Sequence, residues 1–384
     1  MVKKLTPMLL VAFMILAITP NIALAQEGDI SLTLEQAIDI AYKSNPDLRQ
    51  ADLEIDKAQI QRDDAADLVT SIPIGGIITP TCQEIYNGYQ KAEIALEGAK
   101  RNKTTEKERV ASDVINAYTA ALKNYNTMES ARLTIEDLRQ QLSTSYIAQE
   151  TGVISSFDVK SFESAIKQAE DEYKGAQSQY ESSISSLRTV VGKDQWWKPV
   201  LTSRAVLKEY PRETLDIELS RGISQSVNVW QSQELLDIEK SQEGWVIPNL
   251  STDMRNINMG MAETTHEQAK LKTMGAIEQL YHGIDATEGQ IAAAEAANEQ
   301  AQRDLEVAQL KYDVGLTPKY SMPGASGSSS LAAATLAAQK AQYNLDSLQA
   351  SLAGMKAQFA YLTGQTVYDA GDWTPEPQAV AANK

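Results

Sequence analysis

Two stretches decide how this chain folds: "YIAQETGVISSF" (146–157) and "LKYDVGLTPKYS" (310–321). In each, a long polar pattern of helical period runs into a glycine, takes one apolar residue, and continues with small or hydroxylated residues. A glycine just past a helix end is the expected left-handed cap. Gly152 and Gly315 lie 163 residues apart, and sliding the sequence by that amount gives a gapless register. "VINAYTAALKN" (114–124) falls on "IEQLYHGIDAT" (277–287), so Tyr118 meets Tyr281.

Outward from the glycines the two halves keep one plan. Val114, Ala121, Met128, Ile135 and Leu142 are spaced by sevens, and so are Ile277, Ile284, Ile291, Asn298, Leu305 and Tyr312. A second seam runs Ala117, Asn124, Ala131, Leu138 in one half and Leu280, Thr287, Ala294, Ala301, Ala308 in the other. A sustained heptad means helices packed lengthwise, and alanine lets their backbones approach. After each glycine, steps of four and three continue, from Phe162 to Val190 and from Leu331 to Leu362, ending at Gly192 and Gly364. At the front of each half, "LEIDKAQ" (53–59) matches "LDIEKSQ" (236–242), and Thr33 with Gln36 forms a capping-box pattern. The reading is mainly α: two tandem repeats of long antiparallel coiled-coil helices, three per repeat.

Lengths suggest the arrangement within a repeat. A middle helix over about 84–149 would span roughly 100 Å at 1.5 Å per residue. The flanking helices, about 32–66 and 156–191, have nearly that length together, so stacking end to end beside it would make a uniform rod.

Composition fits this plan. Apolar residues make up 43% of the 384 residues, but Phe occurs only 4 times and alanine carries much of the rest, which suits side-by-side helices rather than a thick core. The net charge of −16 argues against nucleic acid. Lys3 and Lys4, the apolar run Met8–Ile18 and the small-residue site around Ala23 and Ala25 read as a secretory signal peptide. Cleavage there removes two lysines and no acid, taking the charge from −16 to −18. Cys82 is the only cysteine, so no intrachain disulfide is expected.

The expected organisation is a signal peptide over 1–25, a first repeat over 26–192, an equatorial linker over 193–212, a second repeat over 213–364 and a tail over 365–384. Each repeat is expected to hold a short strand region, about 67–81 and about 244–262. In the second, Leu250, Thr252 and Met254, then Ile257, Met259 and Met261, alternate with polar residues or glycine, a barrel-strand pattern.

The signal peptide, "LTLEQAIDIAYKSNPDLRQADLEIDKAQ", the duplicated helices and the "TGVISSFDV" and "VGLTP" tips together resemble the TolC family of outer-membrane efflux and secretion channels. The resemblance covers essentially all of the mature chain. It implies a homotrimeric α-barrel tube through the periplasm and a passive duct without chemistry of its own. An inner-membrane pump, of RND, ABC or similar type, would drive it through a periplasmic adapter (membrane fusion) protein. It also implies that Gly152, Val153, Ile154 and Ser155, with Gly315, Leu316, Thr317 and Pro318, are the adapter-docking tips. Asp158, together with Lys319 of a neighbour, stands as the candidate gate. Two departures from the family accompany this. Ser321 stands where an aspartate is expected, followed by "GASGSSS" (324–330), and each strand region has room for about one strand where the family has two. The barrel is therefore expected to be abbreviated or absent. A non-conducting coiled-coil spacer or tether of the cell envelope remains open as an alternative.

No catalytic, cofactor or metal site is expected. His266 and His282 have no ligand-spaced partners, and no phosphate loop, nucleophile elbow or H-E-x-x-H motif is present. The clusters "QWWKP" (195–199) and "GDWTPEP" (371–377) close the repeats as an equatorial girdle or as helix-end packing.

Overall fold

Helix α1 (Leu34–Ser44) begins where the sequence places a capping box: Thr33 Oγ1 accepts from the Gln36 amide, and Gln36 Oε1 accepts from the Thr33 amide. The computed structural model describes residues 30–70, 76–204, 206–207, 212–243, 245–248, 251–320, 330–368 and 373–374. The expected signal peptide and most of the tail lie outside the described residues.

The first helix is not continuous through "NPDL". Asn45 leaves the helical conformation, its side chain accepts from the Asp47 amide at 2.7 Å, and Pro46 starts α2 (Pro46–Asp67). Proline supplies no amide and presets φ, so it opens a helix more readily than it continues one. The second repeat breaks at the matching place: α5 (Leu215–Gln225) follows Thr214, and α6 (Val227–Ser241) follows Ser226. The break makes room for another helix end. Ser44 Oγ and Asn45 Nδ2 donate to the carbonyls of Val191 and Val190, each at 2.7 Å, capping the end of α4 (Ser156–Val191). So α2, not α1, continues the line of α4, and α1 packs across the joint.

The middle helices are longer than expected. Helix α3 (Pro80–Glu150) has 71 residues and α7 (Thr252–Asp313) has 62, about 105 and 93 Å at 1.5 Å per residue. The last helix, α8 (Leu331–Leu362), packs between them. Across the described residues, α4 and α2 line one side of α3, α8 and α6 the other, and α7 packs mainly on α8, α6 and α5. This is one curtain of helices with two free edges, α2/α4 and α7.

Strands are few and short. β1 (Ile30–Leu32) pairs in parallel with β3 (Pro199–Leu201), and β4 (Val206–Leu207) pairs antiparallel with β6 (Trp373–Thr374). At the far end, β2 (Gly76–Ile77) pairs in parallel with β5 (Trp245–Val246). The expectation of a strand over about 244–262 fails beyond Val246: residues 252–262 are the first turns of α7, capped by the Ser251 hydroxyl on the Met254 amide. Met254, Ile257 and Met261 fit a three-four spacing while Ile257, Met259 and Met261 alternate, and the cap decides between the two periods. In the first region the strand among the described residues is Gly76–Ile77, with Pro80 already in α3.

The largest core lies at mid-height, where α1, α3, α4, β1, β3 and the end of α8 meet. Its centre is Tyr118, wholly buried, whose hydroxyl lies 3.0 Å from the carbonyls of Leu32 and Ser203 and from Ser203 Oγ. Burial raises its pKa. Tyr281, its partner in the register, reaches the Glu213 carbonyl at 3.4 Å. Leu32 and Glu213 each precede the Thr cap of their repeat. The duplication read from the sequence is therefore also a duplication of contacts.

Candidate docking tips

Both glycine tips have the same backbone. Gly152 and Gly315 take φ of 75° and 74°. The Gly152 amide donates to the Gln149 carbonyl and the Val153 amide to the Ala148 carbonyl, at 3.0 and 2.8 Å. At the second tip the Gly315 amide donates to the Tyr312 carbonyl and Leu316 to Lys311, at 2.9 and 2.7 Å. This is the paired capping pattern in which a left-handed glycine satisfies the last helical carbonyls. A Cβ would meet nothing within 4 Å at either glycine, so conformation rather than space selects them.

The residue after such a glycine usually packs back on its own helix. Here it does not: Val153 is 62% and Leu316 76% exposed. Around them Ile147, Phe157, Leu310 and Val314 are also exposed. Sequence reasoning missed these four. Ile147 and Leu310 share the 163-residue register and lie off both heptad seams, and that is the signal that could have found them.

Beyond the tips the repeats diverge. At the first tip Ser155 caps α4, and Asp158 Oδ2 accepts from the Ser155 amide and hydroxyl at 2.9 and 2.8 Å. Those donors hold the Asp158 carboxyl below its ordinary value. At the second tip the cap is Ser330, whose hydroxyl accepts from the Ala333 amide at 3.1 Å, so Ala333 occupies the place of Asp158. Ser321 and most of "GASGSSS" lie outside the described residues. Before them, Pro318 and Lys319 fold back so that their carbonyls accept from the Leu331 and Ala332 amides, at 3.2 and 2.9 Å. The Lys319 ammonium lies 5.3 Å from the Tyr320 ring centre. Lys319 and Tyr320 line an open groove of about 480 Å³ with Leu133, Glu136, Gln140 and Leu336. Among the described residues no ion pair within the protomer joins Asp158 to Lys319. The structure gathers the residues expected to dock at one end of the molecule and gives Asp158 an intrachain capping task.

No family model matches the sequence, and no curated protein matches it. Solved structures do match in fold. The CmeC outer membrane channel of Campylobacter jejuni aligns over 88% of this chain and 87% of its own, with a TM-score of 0.61 and 13% identity. The outer membrane protein VceC of Vibrio cholerae gives 87% and 97%, a TM-score of 0.57 and 13% identity. The MtrE outer membrane channel of Neisseria gonorrhoeae, in its open state, gives 87% and 89%, also 0.57 and 13%. The duplicated helical curtain of this chain is the fold of TolC-type outer membrane channels, carried by a sequence only 13% identical to theirs.

Proposed function

We propose that this chain is the duct subunit of a tripartite efflux or type I secretion system: a homotrimer in the outer envelope, passive, docked through its glycine tips to a periplasmic adapter and driven by an inner-membrane pump. The carrying observation is that the curtain has two free edges with exposed apolar residues at one height. The ion pair of Lys103 with Asp52 sets Leu53 of α2 beside residue 103 of α3. Arg101 stacks on Trp230 of α6, and Ser232 bonds His266 at 3.1 Å, which brings Leu271 of α7 to the same level. Leu53 is 57% and Leu271 66% exposed. Edges that match at one level close into a ring without axial rise, as cyclic symmetry requires. The exposed Val153 and Leu316 then sit at the mouth of that ring as anchors for a partner helix.

The test combines assembly with transport. In a Cys82→Ser background, Leu53→Cys with Leu271→Cys and a short bis-maleimide should give covalent trimers. In cells of the source bacterium, loss of the chain should raise ethidium accumulation, and Val153→Asp with Leu316→Asp should fail to restore efflux while keeping trimer mass. A chain that stays monomeric would refute the duct. A trimer whose loss leaves accumulation unchanged would favour the envelope spacer, which the short strands at the far end also suit.

A further inference from the structure

The end opposite the tips carries two apolar strands where a water-facing sheet would be polar. In β5 and directly after each strand, Trp245, Ile78 and Ile247 turn inward to a small cluster with Cys82 and Tyr86. The alternate positions, Ile77 and Val246, turn outward and are 81% and 59% exposed. They are register partners, side by side on one face. Strands alternate between an apolar inner face and a polar outer face when water covers the outer one. This pair is apolar on both. Leu68, at the end of α2, adds a third exposed apolar side chain at 61%.

Chain length limits what this end can do. Twelve residues separate α2 from α3 and ten separate α6 from α7, whereas crossing and returning as barrel strands needs roughly 18–22 residues plus a turn. No helix among the described residues is long and apolar enough to cross a membrane. Among the described residues the ladder is two residues long with its outer edges unpaired, and such edges do not enter hydrocarbon. Exposed Asp63, Asp64, Asp67, Glu84, Glu243 and Asp253 stand around the apolar pair at the ends of α2, β5 and the starts of α3 and α7. Carboxylates at that height stop deep insertion and repel an anionic surface.

We infer that this end seats on a membrane surface without crossing it: Ile77, Val246 and Leu68 enter the interfacial layer of a neutral or zwitterionic lipid leaflet, and the acidic collar stays in water. The inference rests on the duct reading only for its threefold valence, which multiplies three weak contacts into one stable seat.

The test is density-gradient flotation of residues 26–384 with dye-loaded phosphatidylcholine vesicles, with oligomeric mass measured in parallel. The protein should float equally at low and high salt and release no dye. Ile77→Asp with Val246→Asp should cut partitioning by about tenfold or more while helicity and mass stay unchanged. Val153→Asp with Leu316→Asp, at the other end, should float like the parent. Absence of flotation, or flotation indifferent to the Ile77 and Val246 changes, would overturn the inference. Dye release with stepwise conductance would also overturn it, by showing a spanning barrel, and would leave the duct standing. A monomer that floats and is displaced by the same two changes would support the seat and sink the duct.

Discussion

Gly222 tests whether the two repeats solve one packing problem in two ways. It lies inside α5, wholly surrounded, where an added Cβ would drive into the Ile277 Cδ1 methyl and approach the Leu362 carbonyl to 3.1 Å. Through the matching caps Thr33 and Thr214, its counterpart in the first repeat is Ala41; through the 163-residue register, the counterpart of Ile277 is Val114. Ala41 and Val114 share one fully buried cluster. One repeat thus uses alanine with valine, the other glycine with isoleucine. Gly222→Ala gains about 0.5–1 kcal/mol of helix propensity and costs about 1–3 kcal/mol of overpacking, because Ile277 is itself fully buried against Ile284 and Phe359. The single variant should therefore lose up to about 2 kcal/mol. Ile277→Val alone should lose about 0.5–1.5 kcal/mol. The double variant rebuilds the first repeat's pair and should return close to the parent, giving a favourable coupling of about 1 kcal/mol or more. Thermal melts of all four proteins at one protomer concentration measure the cycle. Gly222→Ala more stable than the parent, or strictly additive changes, would refute the reasoning.

Three further outcomes follow from the geometry. Tyr118→Phe should lose about 1–3 kcal/mol, since it takes the hydroxyl away from the buried Ser203 amide and carbonyl, whereas Tyr281→Phe, bonded at 3.4 Å, should stay within about 0.5 kcal/mol; melting temperatures decide. Gly152→Ala and Gly315→Ala should each lose about 1 kcal/mol for a left-handed alanine, and Gly192→Ala more, because its Cβ would strike the Ser44 carbonyl as well. The Asp158 carboxyl is lowered by its Ser155 donors, so its support for the start of α4 is complete above the ordinary carboxylate range and lost as pH falls through the lowered value. The protection of the Ser155 amide, measured against its intrinsic exchange rate, should fall on acidification in the parent and be low at every pH in Asp158→Ala.

Sequence legibility tracks how local each feature is. The tips were legible because a left-handed glycine cap closes on residues within one turn, and Gly152 and Gly315 carry the whole instruction in "TGV" and "VGL". The capping box at Thr33 was legible for the same reason. The break at Asn45 has a local signal in Pro46 that the helical period of its surroundings overshadowed; what the sequence does not show is that another helix end, 145 residues on, arrives against the Ser44 and Asn45 side chains. Residues 252–262 were misread as strand because their spacing satisfies both periods over so short a run.

The sequence by itself determined the mainly helical class, the duplication, the heptad seams and the paired tips, since each is written in spacing or in a residue's own backbone preference. Tertiary structure alone decided which helix continues which, that Tyr118 is the buried pin at mid-height, and that Ile77 and Val246 share one exposed face. Those depend on segments brought together from distant parts of the chain, and no local pattern records where a distant segment will land.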